Sequence, residues 1–134
     1  MSASLYDERG IECLDYAQTH ISKDFPNLLG QRIESPLTLR DDRGSWGTYF
    51  VFKDLSVRSP GNYTLKFRLY DLESKNFPNT LAVKTPIRIQ LSTSVFSIFK
   101  PKDFTGMAVS TELTKTFRNQ GVKLSIRNKA LHQT

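Results

Sequence analysis

The chain has 134 residues, enough for one domain with a sizeable core, and its net charge of +6 is modest. Its only cysteine, Cys13, excludes an internal disulfide and fits a reducing, intracellular compartment. No apolar run reaches membrane-spanning length, and the first residues lead into acidic ones without a secretory pattern.

The charge is unevenly distributed. Residues 1–54 hold six Lys/Arg against nine Asp/Glu, whereas residues 55–134 hold thirteen against four. A basic half suits a polyanionic partner, nucleic acid first, or else a solvated surface that keeps the protein soluble.

Residues 2–6 read as the tail of a strand. Over residues 8–20, Ile11, Leu14 and Ala17 have near-helical spacing, but Gly10 and the polar content leave an extended loop or one helical turn. Residues 28–39 resume a strand pattern with Ile33, Leu37 and Leu39 inward, and Pro36 implies an edge or a bulge. Asp41-Asp42-Arg43-Gly44 makes a turn into residues 47–72, the stretch around which the chain is organised. Within it, residues 48–53 are apolar on both faces and predict a strand covered on both sides. Residues 63–70 alternate, with Tyr63, Leu65, Phe67 and Leu69 dry and Thr64, Lys66, Arg68 and Tyr70 wet. Between the two, Ser59-Pro60-Gly61-Asn62 has type II turn chemistry.

Residues 73–85 read as a polar surface loop. A strand follows from Pro86 with Ile87, Ile89 and Leu91 inside, then an apolar stretch, residues 95–107, interrupted by Lys100-Pro101-Lys102. Residues 110–120 predict a helix capped by Ser110 or Thr111, stopped by Gly121 and anchored by Leu113 and Phe117. Val122, Leu124 and Ile126 close with one more alternating strand, and residues 128–134 form a polar tail. Short strands with a single late helix and no βαβ alternation predict an all-β, immunoglobulin-like antiparallel sandwich with one short C-terminal helix.

The catalytic inventory is thin. His20 and His132 fall in a loop and a tail, Cys13 has no paired histidine motif, and no metal-ligand spacing or phosphate loop is present. No enzyme, cofactor or metal is expected. For a DNA backbone the candidates are Arg58, Lys100, Lys102, Arg118, Lys123 and Arg127. Arg58 can offer a planar fork to phosphate or bond loop carbonyls or Asp54; each of the other five reads first as solvated charge, and only as a group do they point to a DNA backbone. Phe99 and Phe104 read as core or dimer-interface residues rather than base-stacking ones, and Trp46 as a packing residue at a strand rim.

Two blocks carry a family resemblance. The first contains Gly47, the aromatic run to Phe52, Asp54-Leu55-Ser56-Val57-Arg58 and Gly61. The second contains Lys102, Phe104, Gly106-Met107, Ser110-Thr111-Glu112-Leu113, Phe117, Gln120-Gly121 and Ile126-Arg127. Together with Ala3-Ser4-Leu5-Tyr6 and Leu29-Gly30, they resemble the velvet domain of fungal developmental regulators over residues 1–127. The resemblance implies a Rel-type sandwich and a nuclear regulator, with or without shuttling through the cytoplasm, that controls development, sporulation and secondary metabolism. It implies homodimers or heterodimers with other velvet proteins and binding of double-stranded DNA, without membrane or small-molecule substrate. The alternative is a dimerisation or protein-interaction module of the same fold without DNA binding of its own. The family's leading strand and its arginine- and proline-rich stretch have no counterpart here. The expectation is therefore a natural short form or a lost beginning, with an exposed strand edge as the consequence.

Overall fold

The computed structural model describes residues 1–13, 27–70 and 87–129. Most of its pairing is laid on β6 (Gly61–Tyr70), whose alternating β-branched, aromatic and long side chains suit an extended chain. β1 (Ser2–Asp7) runs antiparallel along one side of β6. β7 (Ile87–Ser92) and β8 (Phe96–Ile98) follow one another along its other side. The outer edge of β1 is itself bonded: the Ala3 N–H donates to the Arg32 carbonyl (2.8 Å) and the Cys13 N–H to the Leu5 carbonyl (2.8 Å).

Register explains the first of two cores. Leu5 lies opposite Leu65 and Asp7 opposite Tyr63, so Leu5, Leu65 and Tyr63 share a face. Leu5, Leu28 and Tyr63 are buried there, with Phe96 and Ile98 packed alongside. The other face of β6, predicted to be wet, is half-covered. The Lys66 ammonium sits 4.1 Å from the centre of the Tyr6 ring, and the Arg68 guanidinium donates to the Tyr6 hydroxyl. The two cationic side chains thus cover Tyr6, which is buried.

Two short pairs complete the sheet structure among the described residues. β2 (Leu28–Leu29) pairs with β5 (Ser56–Val57), and β3 (Leu37–Arg40) forms a hairpin with β4 (Trp46–Tyr49). The strand expected over residues 28–39 is therefore broken. Pro36, which has no N–H for a ladder, stands just before β3. Leu39 turns inward as expected, but Leu37 is exposed and Ile33 is 70 % exposed.

The aromatic run also departs from expectation. Its strand ends at Tyr49 and pairs only with β3 among the described residues, and Tyr49 to Phe52 are half-buried rather than enclosed. The run spends its rings on two different neighbours. Tyr49 packs edge-on against Phe117 at 4.7 Å, and Phe52 meets Phe67 at 5.1 Å. Gly61, placed in a type II turn by its neighbours, opens β6 opposite Ile98. Its φ of +155° is far from the ~+80° of that turn's third position.

The predicted helix is α1 (Glu112–Asn119). Phe117 joins Leu39 and Val122 in the second core, with Tyr49, Val51 and Leu124 against it. The strand expected from Val122 to Ile126 keeps its alternating burial but makes no ladder. It is held instead by that core and by main-chain and hydroxyl bonds between Arg127 and Ser110 (2.9 and 2.8 Å).

Ile87, Ile89 and Leu91, expected inside, are exposed. Leu91 stands opposite Phe67 and Ile89 opposite Leu69, on the same sheet face as the first core. The residues filling that core cluster around Leu5, Leu28 and Tyr63, short of β7. Phe99 and Phe104 are exposed too, so neither is a core residue. The loop at 73–85 and residues 130–134 of the tail lie outside the described residues, as do residues 14–20 of the stretch with helical spacing. What stands is a mostly β molecule of antiparallel sheets with one short C-terminal helix.

Candidate nucleic-acid interface

The two ends of α1 are written in its sequence. Thr111 caps the start, its hydroxyl accepting the Thr114 N–H at 3.1 Å, and Glu112 sits in the first turn where the helix dipole favours an anion. At the other end the Gly121 N–H donates to the Arg118 carbonyl (3.0 Å) and the Val122 N–H to the Phe117 carbonyl (3.2 Å). That pair of bonds is a Schellman motif, with Gly121 at a φ of +99° and its hydrophobic contact supplied by Phe117 and Val122. The motif matters for charge. It reverses the chain within a few residues, so Arg118 from the helix and Lys123 from the segment beyond it line one hollow.

An adjoining hollow is lined by Leu37, Leu39, Lys53, Gln120 and Lys123. Lys123 therefore belongs to both, between Arg118 and Lys53. No acidic side chain is among the described residues that line either hollow. The Gln120 carboxamide fixes one wall. Its Oε1 accepts the Arg40 N–H (2.8 Å) and its Nε2 donates to the Arg40 carbonyl (2.7 Å). Arg40 is thereby pinned beside the basic surface, its guanidinium carbon 4.7 Å from the centre of the Trp46 ring. Trp46 is 64 % exposed, so the expectation of a packed rim residue does not hold.

The six cations singled out from the sequence are not one cluster. Arg118 and Lys123 come together as described. Arg58 follows β5 and donates its N–H to the Asn27 carbonyl at 2.9 Å. Lys100 and Lys102 are exposed around a 3-10 turn (Pro101–Asp103) after β8. Because Gly61 pairs with Ile98 in antiparallel register, residue 58 and residues 100–102 leave β6 and β8 at the same sheet end. Asp7 and Glu8 of β1 and its turn leave there as well, so that end is electrostatically mixed. Arg127 serves the fold: its Nε–H donates to the Ala108 carbonyl at 3.0 Å. Lys53 and Arg40 are not among the residues the sequence points to, and Gln120 is there only as part of the Gln120-Gly121 pair that carries the family resemblance. Lys53 ends an aromatic run, and Gln120 stands directly before the helix-stopping glycine, but neither position signals a basic surface.

Among the described residues no group of His, Cys, Asp and Glu could hold a metal, and no helix is long and apolar enough to cross a membrane. Cys13 is half-buried, and burial, followed by the Asp7 charge, pushes its thiol above the ordinary value and away from a reactive thiolate.

Comparison with known proteins adds the family. The family described as Velvet factor matches residues 12–130. The sexual development regulator VELC of Pyricularia oryzae is 35 % identical over 124 residues, 92 % of this chain and 27 % of its own length. The spore development regulator vosA of Beauveria bassiana is 30 % identical over 127 residues, 95 % of this chain and 45 % of its own. Velvet complex subunit 2 of Hypocrea jecorina is 36 % identical over 107 residues, 78 % of this chain and 22 % of its own. The chain thus spans less than half the length of these relatives.

Proposed function

The chain belongs to the velvet family, a family of regulators rather than enzymes, and on that premise we propose that it binds DNA as a regulator of fungal development. In this reading it acts in the nucleus, in sporulation and secondary metabolism, as a dimer or a heterodimer with another velvet protein. The observation that carries the DNA reading is the convergence of Arg118, Lys123 and Lys53 on adjoining hollows with no acidic liner among the described residues. Such a surface attracts phosphate whatever the base sequence. Arg58, Lys100 and Lys102 form a second, weaker contact in this reading, being interleaved with carboxylates.

The complex-forming part of the proposal rests on β7, whose Ile87, Ile89 and Leu91 form an exposed apolar row on one sheet face. Two relatives, of Hypocrea jecorina and Mycosarcoma maydis, are named as velvet complex subunits, which favours the same reading. The antiparallel sheets are read as the layers of an immunoglobulin-like, Rel-type sandwich. In support, the Tyr63 hydroxyl donates to the Ser59 carbonyl four residues upstream at 2.9 Å, the arrangement of the tyrosine corner in such folds.

An electrophoretic mobility shift with unrelated duplexes at low and moderate salt tests the DNA reading. Binding that weakens steeply with salt supports it. No shift even at low salt removes DNA binding and leaves the interaction module, with the β7 face as its working surface.

A further inference from the structure

Trp46 stands opposite Arg40 in the β3–β4 ladder, so the two side chains lie on the same face of the hairpin. The guanidinium takes up one side of the indole, and 64 % of Trp46 remains exposed. A tryptophan this open is unusual unless something covers it, because its large apolar area is costly to leave in water. What adjoins it is cationic. Gln120 holds the backbone of Arg40 through both its amide groups and lines the hollow that also contains Lys53 and Lys123. The hairpin turn between Arg40 and Trp46 carries Asp41, Asp42 and Arg43, with the Asp41 carboxylate accepting the N–H groups of Arg43 and Ser45 (2.9 and 2.8 Å), so the positive field comes from the hollow and from Arg40 and not from the turn.

An exposed aromatic ring on a hairpin whose β3 strand lines a basic hollow is matched by a ligand that carries flat π-systems on a polyanionic backbone. We propose that Trp46 is a stacking platform for an unpaired nucleobase, with Arg40 beneath the ring and Lys53, Lys123 and Arg118 on the neighbouring phosphates. The inference rests on the nucleic-acid reading above and extends it from phosphate contact to base contact. Arg40 has two parts to play. Its cation–π contact holds the indole in one orientation, and its charge adds to the attraction of the backbone.

Trp46 is the only tryptophan in the chain, so its emission reports this ring alone. The test titrates the protein with a short oligothymidylate and, separately, with inorganic polyphosphate, following Trp emission and the anisotropy of labelled oligonucleotide. Oligothymidylate is expected to quench the emission saturably, whereas polyphosphate competes for binding without comparable quenching. Trp46→Ala is expected to weaken oligothymidylate binding by about 5- to 150-fold, the range for loss of one stacked base, and to leave polyphosphate binding unchanged. Trp46→Phe, which keeps a flat ring, restores part of the affinity, separating stacking from a merely structural effect. If oligothymidylate binds with no change in emission and Trp46→Ala binds equally well, the platform is overturned while the phosphate-binding reading survives. If neither polyanion binds, both fall.

Discussion

The side chain of Gln120 pairs with both main-chain groups of Arg40, eighty positions earlier in the chain. It behaves as an extra strand residue on the edge of β3. Through it the end of α1 is fastened to the hairpin that carries Trp46, and the basic hollows gain a fixed wall.

Gln120→Ala should therefore lower stability by about 1–2 kcal/mol, the net worth of two partly solvated hydrogen bonds. Gln120→Glu should be no better, because a carboxylate oxygen would face the Arg40 carbonyl where the amide donates now. Urea unfolding checks both, and a midpoint unchanged in either variant means the clamp is not formed in solution.

Gly61 and Tyr63 form a second close relationship. A Cβ at position 61 would lie 3.1 Å from the Tyr63 hydroxyl oxygen, on a backbone with φ of +155°. Gly61→Ala is expected to cost about 1–3 kcal/mol, and Tyr63→Phe about 1 kcal/mol through the lost bond to Ser59. Combined with Tyr63→Leu, which removes the ring, Gly61→Ala should cost less than it does alone. Strict additivity in that cycle would show that the ring is not what resists the alanine.

At the start of α1, Thr111→Ala removes the acceptor for the Thr114 N–H and should destabilise by about 1 kcal/mol. Thr111→Ser should be nearly neutral. Thermal melts followed by circular dichroism distinguish the two, and equal losses in both would place the effect in the methyl group instead of the cap.

Charge reversal at the hollows should separate binding from folding. Arg118→Glu and Lys123→Glu are expected to weaken duplex binding on every sequence alike and to flatten its salt dependence by about one ion per lost phosphate contact. Arg127→Ala should instead lower stability by about 1 kcal/mol, since its Nε–H is bonded to Ala108. Duplex binding that tracks Arg127 and ignores Lys123 would reverse the assignment.

Asp7 gives a pH dependence of known sign. The Ile11 N–H, and after it Arg9, hold its carboxyl below the ordinary value of 3.8. Its contribution is present above that value and disappears as pH falls through the lower, folded-state one. Between pH 4 and the acid limit of about 2, wild-type protein should lose stability more steeply than Asp7→Asn. Parallel acid profiles would mean the turn from Asp7 to Ile11 opens before the carboxyl titrates.

Where a structure is local, the residues announced it. Thr111, Glu112 and Gly121 mark the ends of α1 because capping and a left-handed stop involve only neighbours in the chain. The Asp41–Gly44 turn was legible for the same reason, its side chain bonding N–H groups two and four residues on. Alternation likewise located β6 and β7, since the pleat imposes its period wherever a strand forms.

Alternation could not say whether anything covers a face. Ile87, Ile89 and Leu91 have the pattern of a buried strand and lie exposed, and Val122 to Ile126 has the pattern of a paired strand and makes no ladder. Both are decisions about neighbours distant in sequence. Nor does one-dimensional order reveal that Lys53, Gln120 and Lys123 meet, or that Arg40 lies under Trp46.

The sequence by itself determined the antiparallel β character, the late helix with its two caps, and an excess of cations in the second half, because each depends on short-range sterics, hydrogen bonding or simple counting. Only the tertiary structure decided which cations share a surface, which apolar rows stay uncovered and which tryptophan face is free. Those outcomes follow from how strands register and where the chain reverses, and side chains from remote segments become neighbours only after both are set.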